Sequence, residues 1–350
     1  MNKAQEIIDE FSFIEGGLFR KVQMKFGVEN HQGLLALAGV CFAWLPLAII
    51  SAKEGTFSSG SSTPFIQDFG IHARLLIAIP MLVLIRNTIS LKTGAVTKYL
   101  SGSLLNAEDR ANMISKTLPF SRKLACSSFT ELVILLVVIG SVFSLFRSGT
   151  YGGIQGDEGT WMFLGLPEEN VLSNAGKWAV FISIPFFQFL LAQWIWRYVV
   201  WVFLLYRFSK ANLQLLPTHA DRSGGLGIVI LAQRSLSFIF VTGSLVISGQ
   251  LITHFMDAPD LIKVIQAVVI GYIIFCLIIL FLPLLFFIPE LVRIRQAGML
   301  RMSILATELS SKFESEWMNE IPIEKRIEEQ QVDPSMAYDY ASMYDNLQQL

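Results

Sequence analysis

Charge is scarce in this chain. Asp, Glu, Lys and Arg make up only 16% of its 350 residues, against about 25% in a typical soluble domain. Cysteine is scarcer still: Cys41, Cys126 and Cys276 are the only three. None stands at metal-ligand spacing from another, and two lie inside apolar runs, so neither a disulfide framework nor a zinc site is expected. No basic block with interleaved aromatics is present, which argues against a nucleic-acid partner. A Walker loop, a His-x-x-x-His zinc helix, a haem motif, a hydrolase elbow and a dinucleotide fingerprint are missing too, so no cofactor or metal is expected. The first 29 residues lack the uninterrupted apolar stretch of a cleavable signal, because Glu6, Asp9, Glu10 and Glu15 interrupt it.

What fills the chain is apolar. Hydrophobic residues are 53% of the total and Phe alone contributes 27. A bilayer core of about 30 Å needs about 20 apolar residues in a helix. Six segments meet that length or approach it: Gly33 to Ala52, a stretch around Leu75 to Ile85, Cys126 to Phe146, Trp178 to about Tyr206, Ser235 to Phe255 and Val264 to Ile288. Helices are expected because lipid offers backbone groups no outside partner. The runs are too long and too evenly apolar for alternating barrel strands. The second is strictly apolar only between Arg74 and Arg86 and holds Pro80 at its middle. A re-entrant segment is therefore the alternative there.

Basic residues decide between the two. The N-terminal tail holds four Lys and Arg, the second loop seven, the fourth loop four and the C-terminal tail six; the first, third and fifth loops hold one, two and one. Alternate segments thus carry 21 on one side and four on the other. The positive-inside rule places the 21 in the cytoplasm, with both termini. The fold class expected is an all-α membrane protein, a six-transmembrane-helix bundle in a bacterial inner membrane. Residues 1–32 read as a cytoplasmic amphipathic segment, 33–290 as the six-span domain with cytoplasmic helices in 92–123, and 291–350 as a cytoplasmic helical tail.

The fourth span is too long for the bilayer. From Lys177 to Lys210 it would run about 51 Å as one helix, roughly 20 Å more than the hydrocarbon core. Its far end, Phe203, Leu204 and Leu205, is still apolar. A small cytoplasmic helical layer is expected to cover it; strong tilt with a kink at Pro185 is the alternative. Asn106-Ala-Glu-Asp reads as a helix start, and Asp333-Pro334 as another. Met302, Leu305, Leu309, Phe313 and Trp317 follow helical spacing, as do Met336, Tyr340, Met343, Tyr344, Leu347 and Leu350. Such stripes are packing faces, or an interface for a homo-oligomer or for a soluble partner of the tail. Ile7, Ile8, Phe11, Ile14, Leu18 and Val22 either lie on the membrane surface or pack beneath the bundle.

Two groups of residues are candidates for chemistry. Asp68, His72 and Arg74 cluster at the outer end of the second span, and Gln188, Gln193 and Arg197 lie along the fourth. Arg234, Gln250 and His254 belong to the fifth, and Glu131 to the third. Ionisable side chains within spans cost about 2.5–3.5 kcal/mol on insertion scales, so they face a bundle interior or water, or snorkel to an interface. The excess of positive members favours an anion path. The second group is the loop Leu216-Pro-Thr-His-Ala-Asp-Arg-Ser-Gly-Gly-Leu-Gly227. Its amides and Arg222 suit a phosphate or carboxylate, with Gly224 and Gly225 allowing close approach. His219 and Asp221 form a candidate acid–base pair. The competing reading is a rigid turn capped by Asp221 and Ser223. Asp157, Glu158, Glu168 and Glu169 in the third loop match no calcium-loop spacing.

Three stretches carry a resemblance: His72-Ala-Arg-Leu-Leu with Pro80 following, Phe187-Gln-Phe-Leu-Leu with Trp194-Ile-Trp-Arg197, and above all Pro217-Thr-His-Ala-Asp-Arg-Ser-Gly-Gly-Leu-Gly227. The chain resembles a family of bacterial polytopic inner-membrane proteins, itself uncharacterised, that carries this P-T-H-x-D-R-x-G-G-L-G loop. In that family a proline usually stands where this chain has Ala220. The resemblance implies a multi-span inner-membrane protein and brings no activity. Three functions remain open at this point: an ion or small-solute channel or transporter, a membrane scaffold or sensor acting through the cytoplasmic helices, and a membrane-face enzyme using His219 and Asp221.

Overall fold

The structure, a computed structural model, describes residues 11–12, 16, 31–61, 63–147, 150–151, 154–155, 160–164, 171–255, 262–315 and 334–349. Ile7, Ile8, Ile14, Leu18 and Val22, the four acidic residues of the third loop, and Trp317, Asp333 and Leu350 lie outside them. The regular structure of the described chain is helical apart from two short antiparallel strand pairs in the third loop. The helices are α1 (Gln32–Lys53), α2 (Phe69–Ser103), α3 (Ala107–Cys126), α4 (Ser128–Arg147), α5 (Asn174–Ser209), α6 (Gly227–Thr253), α7 (Ile262–Leu285), α8 (Ile288–Phe313) and α9 (Pro334–Gln348). Among the described residues five are long and apolar enough to cross a membrane: α1, α2, α5, α6 and α7. The bent pair α3–α4 makes a sixth if counted as one span. The protein is an all-α membrane protein.

The loops sort into two ends. Trp161 donates its backbone N–H to Thr63, and Glu54 accepts from the amides of Asn174 and Ala175 at 2.9 and 3.3 Å, so the first and third loops meet. Gly70 donates to the Thr253 hydroxyl at 3.0 Å, which brings the end of α6 to the same place. At the opposite end Gln214 donates to the Leu104 carbonyl, and Arg222 reaches Asn346. There the second loop, the fourth loop and the C-terminal helix converge. Phe11 and Ser12 lie at this end as well, with the Ser12 hydroxyl 2.8 Å from that of Ser90. This is the grouping expected from the basic residues, and we call the end with the second loop, the fourth loop and the C-terminal helix the basic end. The second apolar segment runs from one end to the other as a single helical path of 35 residues.

Prolines shape three of the helices in the same way. Pro80, Pro119 and Pro185 each stand two positions beyond the end of a stretch of π-helix, at 73–78, 113–117 and 179–183. Proline has no N–H for the carbonyl four residues back, and its ring crowds that carbonyl. Widening the preceding turn relieves the crowding without ending the helix. Pro80 therefore sits within α2 without breaking it.

The excess length of α5 is covered as its sequence demands. Leu204, Leu205 and Phe208 are fully buried. Phe120 of α3 meets Phe203 edge-on at 6.0 Å, and Phe286 meets Tyr206 at 5.4 Å. Among the described residues the cover includes α3 and Phe286, which stands between α7 and α8. By contrast α4 and α7 leave long apolar faces uncovered by protein, including Phe129, Leu136, Val137 and Phe143 on α4 and Ile270, Phe275, Ile278 and Phe281 on α7. These faces suit acyl chains. The start of α6 differs from the sequence reading: the helix begins at Gly227, eight residues before Ser235, because its first amide is capped from within the loop.

Candidate functional site

At the less basic end Asp68 and His72 are each held by a tryptophan. Asp68 caps α2: Oδ1 accepts from the Ile71 amide at 2.9 Å, and Oδ2 accepts from the Trp161 indole at 3.0 Å. Asp68 and Trp161 are both buried. The Trp44 indole donates to His72 Nδ1 at 3.0 Å. An indole N–H only donates, so His72 Nδ1 must accept, and the neutral ring carries its proton on Nε2. Phe65 stands edge-on to both His72 and Trp161, at 5.0 and 4.9 Å. Asp68 and His72 share one turn, as their spacing implies, yet their side chains serve different partners. Arg74 lies within coulombic reach of Asp68. Sequence reasoning missed Trp44 and Trp161. The available signal was that a buried indole needs an acceptor, and acceptors are few here.

Along α5 the polar groups are less satisfied. Gln193 and Arg197 are four residues apart on one face, 4% and 8% exposed. Gln193 Nε2 and Gln188 Oε1 are buried without a hydrogen-bond partner. The Arg197 guanidinium lies 5.2 Å from the centre of the Trp194 ring. Among the described residues no carboxylate comes within ion-pair distance of it; Cys126 and Glu131 act on it only from farther off.

A second buried network sits between α5, α6 and α7. Gln233 accepts from the Trp201 indole at 3.1 Å and donates to Tyr198 Oη at 3.2 Å and to the Leu280 carbonyl at 2.8 Å. Tyr198 donates in turn to the Ile279 carbonyl at 2.5 Å. Pro283 lies inside α7, four residues beyond Ile279, and cannot donate to it. The network therefore satisfies a carbonyl that proline releases within the membrane. Sequence reasoning passed over Gln233 and Pro283, although a proline inside a span announces an orphan carbonyl four residues earlier.

The 217–227 loop folds around its own carboxylate. Asp221 Oδ1 accepts from the amides of Ser223 and Gly225, both at 3.0 Å, and Oδ2 accepts from Gly227 at 2.8 Å. His219 Nδ1 lies 2.7 Å from Oδ1 and 3.2 Å from the Asp221 amide. One nitrogen cannot donate to the first and accept from the second at once; the shorter contact makes it the donor to the carboxylate. Partial burial pushes the carboxyl up, but the amides of Gly227, Gly225 and Ser223 and the His219 contact outweigh it and hold Asp221 below the usual carboxylate range. The amides that would cradle an external anion are thus engaged by Asp221. Arg222, Gly224 and Gly225 all have positive φ, at 52, 65 and 97°. A Cβ on Gly224 would stand 3.1 Å from Ile294, and one on Gly298 would stand 2.9 Å from Pro217. The loop is the junction at which α2, α6, α8 and α9 meet.

Two cavities open at the basic end. The larger, about 490 Å³, is lined by Phe11, Gly16, Leu118, Pro119, Arg122, Lys123 and Cys126. The smaller, about 150 Å³, is lined by Asp109, Asn112, Met113, Thr117, Arg207, Lys210 and Ala211. Neither takes a lining residue from Arg74, Gln188, Arg197 or the 217–227 loop, so the groups singled out in the sequence do not converge on either. No family model, curated protein or solved structure matches the chain.

Proposed function

We propose that the protein provides a path for a small anion across a bacterial inner membrane, with its basic end and both termini in the cytoplasm. The observation that carries this reading is the face of α5 on which Gln193 lies buried with its Nε2 donor unmet and Arg197 lies buried with no carboxylate at ion-pair distance among the described residues. An unpaired buried guanidinium is costly, and so is an unmet amide donor. An anion in transit accepts from both. Its site would lie within the helical bundle, where charged side chains mark ion pathways.

Purified protein in liposomes, loaded and assayed for chloride or nitrate flux, tests the proposal. Flux above that of empty liposomes is expected, falling at least about tenfold in Arg197→Ala, since a lost charge contact of this kind is worth more than 1.4 kcal/mol. Absence of flux, or flux unchanged in Arg197→Ala, overturns it.

A second reading, a membrane scaffold or sensor acting through α8 and α9, draws support from the docking of α9: Leu347 is fully buried and Arg295 donates to the Gln348 carbonyl at 2.7 Å. A partner captured by the full chain and lost on removal of residues 334–350, in a protein without flux, would favour it. The acid–base reading of His219 and Asp221 gains nothing from the geometry, since both carboxylate oxygens already serve loop amides.

A further inference from the structure

We infer that the larger cavity at the basic end binds a phosphate group, of the kind borne by an anionic phospholipid headgroup. This goes beyond the anion path, because the cavity shares no lining residue with α5.

The volume is that of a ligand site: about 490 Å³ here, where small-molecule pockets run from about 300 to 1,000 Å³. Its lining is divided by chemistry. Phe11, Leu118 and Pro119 give one apolar wall, and Arg122 and Lys123, on the last turn of α3, give a cationic one. Among the described residues no carboxylate belongs to the lining. Cys126, also in the wall, lies in the field of Arg197, Arg122 and Arg86, with Glu131 acting in the opposite sense. Positive charge therefore gathers on this side of the cavity from three helices.

The end of a helix would normally repel an anion, since its last carbonyls are free and partially negative. Here the chain breaks into extended backbone at Ser127, and the freed Leu124 carbonyl accepts from the Trp196 indole at 3.0 Å and the Thr130 hydroxyl at 3.2 Å. That carbonyl is quenched. The guanidinium of Arg122 is left as a fork suited to phosphate oxygens.

Position selects the source. The apolar helix α4, which with α3 makes the bent sixth candidate span, begins at Ser128, two residues after Cys126. The cavity consequently lies at the level where headgroups stand, and its mixed lining matches a group that is anionic at one end and apolar at the other. Basic pockets of this type on the inner side of helical bundles take anionic headgroups. A soluble phosphate monoester offers the same oxygens without the apolar part.

The experiment uses the full chain with Cys41→Ala and Cys276→Ala, so that Cys126 alone reports. The protein is placed in nanodiscs of phosphatidylcholine, of phosphatidylcholine with phosphatidylglycerol, or of phosphatidylcholine with added glycerol 3-phosphate. Two quantities are read: the maleimide labelling rate of Cys126, and the phospholipids retained in native mass spectrometry. Phosphatidylglycerol is expected to slow labelling several-fold and to stay bound. Two lost charges in Arg122→Gln/Lys123→Gln should weaken that binding about thirtyfold, and Arg122→Lys should keep most of it. Both side chains are at least partly exposed, so these changes leave the fold intact. Protection by phosphatidylglycerol alone assigns a lipid headgroup, and protection by glycerol 3-phosphate as well assigns a phosphate site open to solutes. Equal labelling in all three discs, or protection that survives the double Gln variant, overturns the inference. Neither result bears on flux through Arg197, so the two proposals fail separately.

Discussion

Tyr198 donates its hydroxyl to the Ile279 carbonyl, the group that Pro283 leaves without a partner in α7. A carbonyl facing lipid unpaired costs several kcal/mol in principle, but measured hydrogen bonds between membrane helices average nearer 1. Tyr198→Phe should therefore lower stability by about 1–2 kcal/mol. Pro283→Ala returns an N–H to the position that bonds Ile279 within the helix. In that background the same Tyr198→Phe change should cost less, with a coupling of at least about 0.5 kcal/mol. A double-mutant cycle of unfolding in mixed micelles measures it. Strict additivity would mean that the hydroxyl serves Gln233 and not the helix break.

Asp221 makes the basic end sensitive to acid. Its folded pKa lies below the unfolded one, so its stabilising contribution is complete above about pH 3.9 and disappears as pH falls through the lower folded value. Protonation removes acceptor capacity from three amides and from His219. Asp221→Asn keeps one carbonyl oxygen for them, and Asp221→Ala keeps none. Resistance of the 210–226 loop to proteolysis should decline in the order wild type, Asn, Ala at neutral pH, with the Ala variant losing about 1–3 kcal/mol. As pH falls through the lowered folded value, the wild type should approach Asp221→Asn. A wild-type acid limb unchanged by either substitution would place the acid sensitivity elsewhere.

Glycines report how closely the spans approach. A Cβ on Gly249 of α6 would lie 2.7 Å from the Phe69 carbonyl and 2.8 Å from Ala73 Cβ on α2. Both neighbours are backbone or fixed to it, so neither gives way. Gly249→Val should destabilise by about 1–3 kcal/mol or more through overpacking. Gly271 of α7 has nothing within 4 Å of the same position. Gly271→Ala should be neutral or stabilising by up to about 1 kcal/mol, through helix propensity alone. Thermal unfolding of the two variants separates a packed seam from a lipid-facing surface.

Much of this architecture was legible in the chain. The apolar runs gave the helices, and the alternation of basic residues gave the grouping of the described loops at two ends, with the second segment one helical path despite Pro80. The surplus apolar length at Leu204, Leu205 and Phe208 foretold a covering layer, because those side chains had to be buried somewhere. What hydropathy hides is partnership. Trp44 with His72, Trp161 with Asp68, and Gln233 with Tyr198 are separated by 28, 93 and 35 residues. Their pairing depends on helix rotation, which a nearly uniform apolar pattern does not encode. The 217–227 loop shows the opposite case. Its residues suggested both an anion cradle and a self-capped turn, and only the position of the Asp221 carboxylate among the amides of residues 223, 225 and 227 distinguishes the two. The cavity beside Arg122 had no sequence signal, since Phe11 and Leu118 come together only through folding.

Orientation is a prediction of its own. Ser59, in the first loop, and Asn212, in the fourth, are exposed and lie at opposite ends. Counted over the short loops, the basic residues place the Asn212 end in the cytoplasm. In a chain lacking Cys41, Cys126 and Cys276, Ser59→Cys should react with an impermeant maleimide on intact cells. Asn212→Cys should react only after permeabilisation. Neither residue makes a side-chain hydrogen bond to another described residue, so both changes are expected to be silent for stability. The reverse pattern would mean that the basic end faces outward, and with it the headgroup cavity. Labelling of both positions from one side would contradict the crossing of α2 itself, since a segment that re-entered would return its two ends to the same face. Because α2 also supplies Asp68, His72 and Arg74 to the less basic end and Tyr99 to the loop junction, that outcome would remove the frame on which both the α5 path and the phosphate cavity are built.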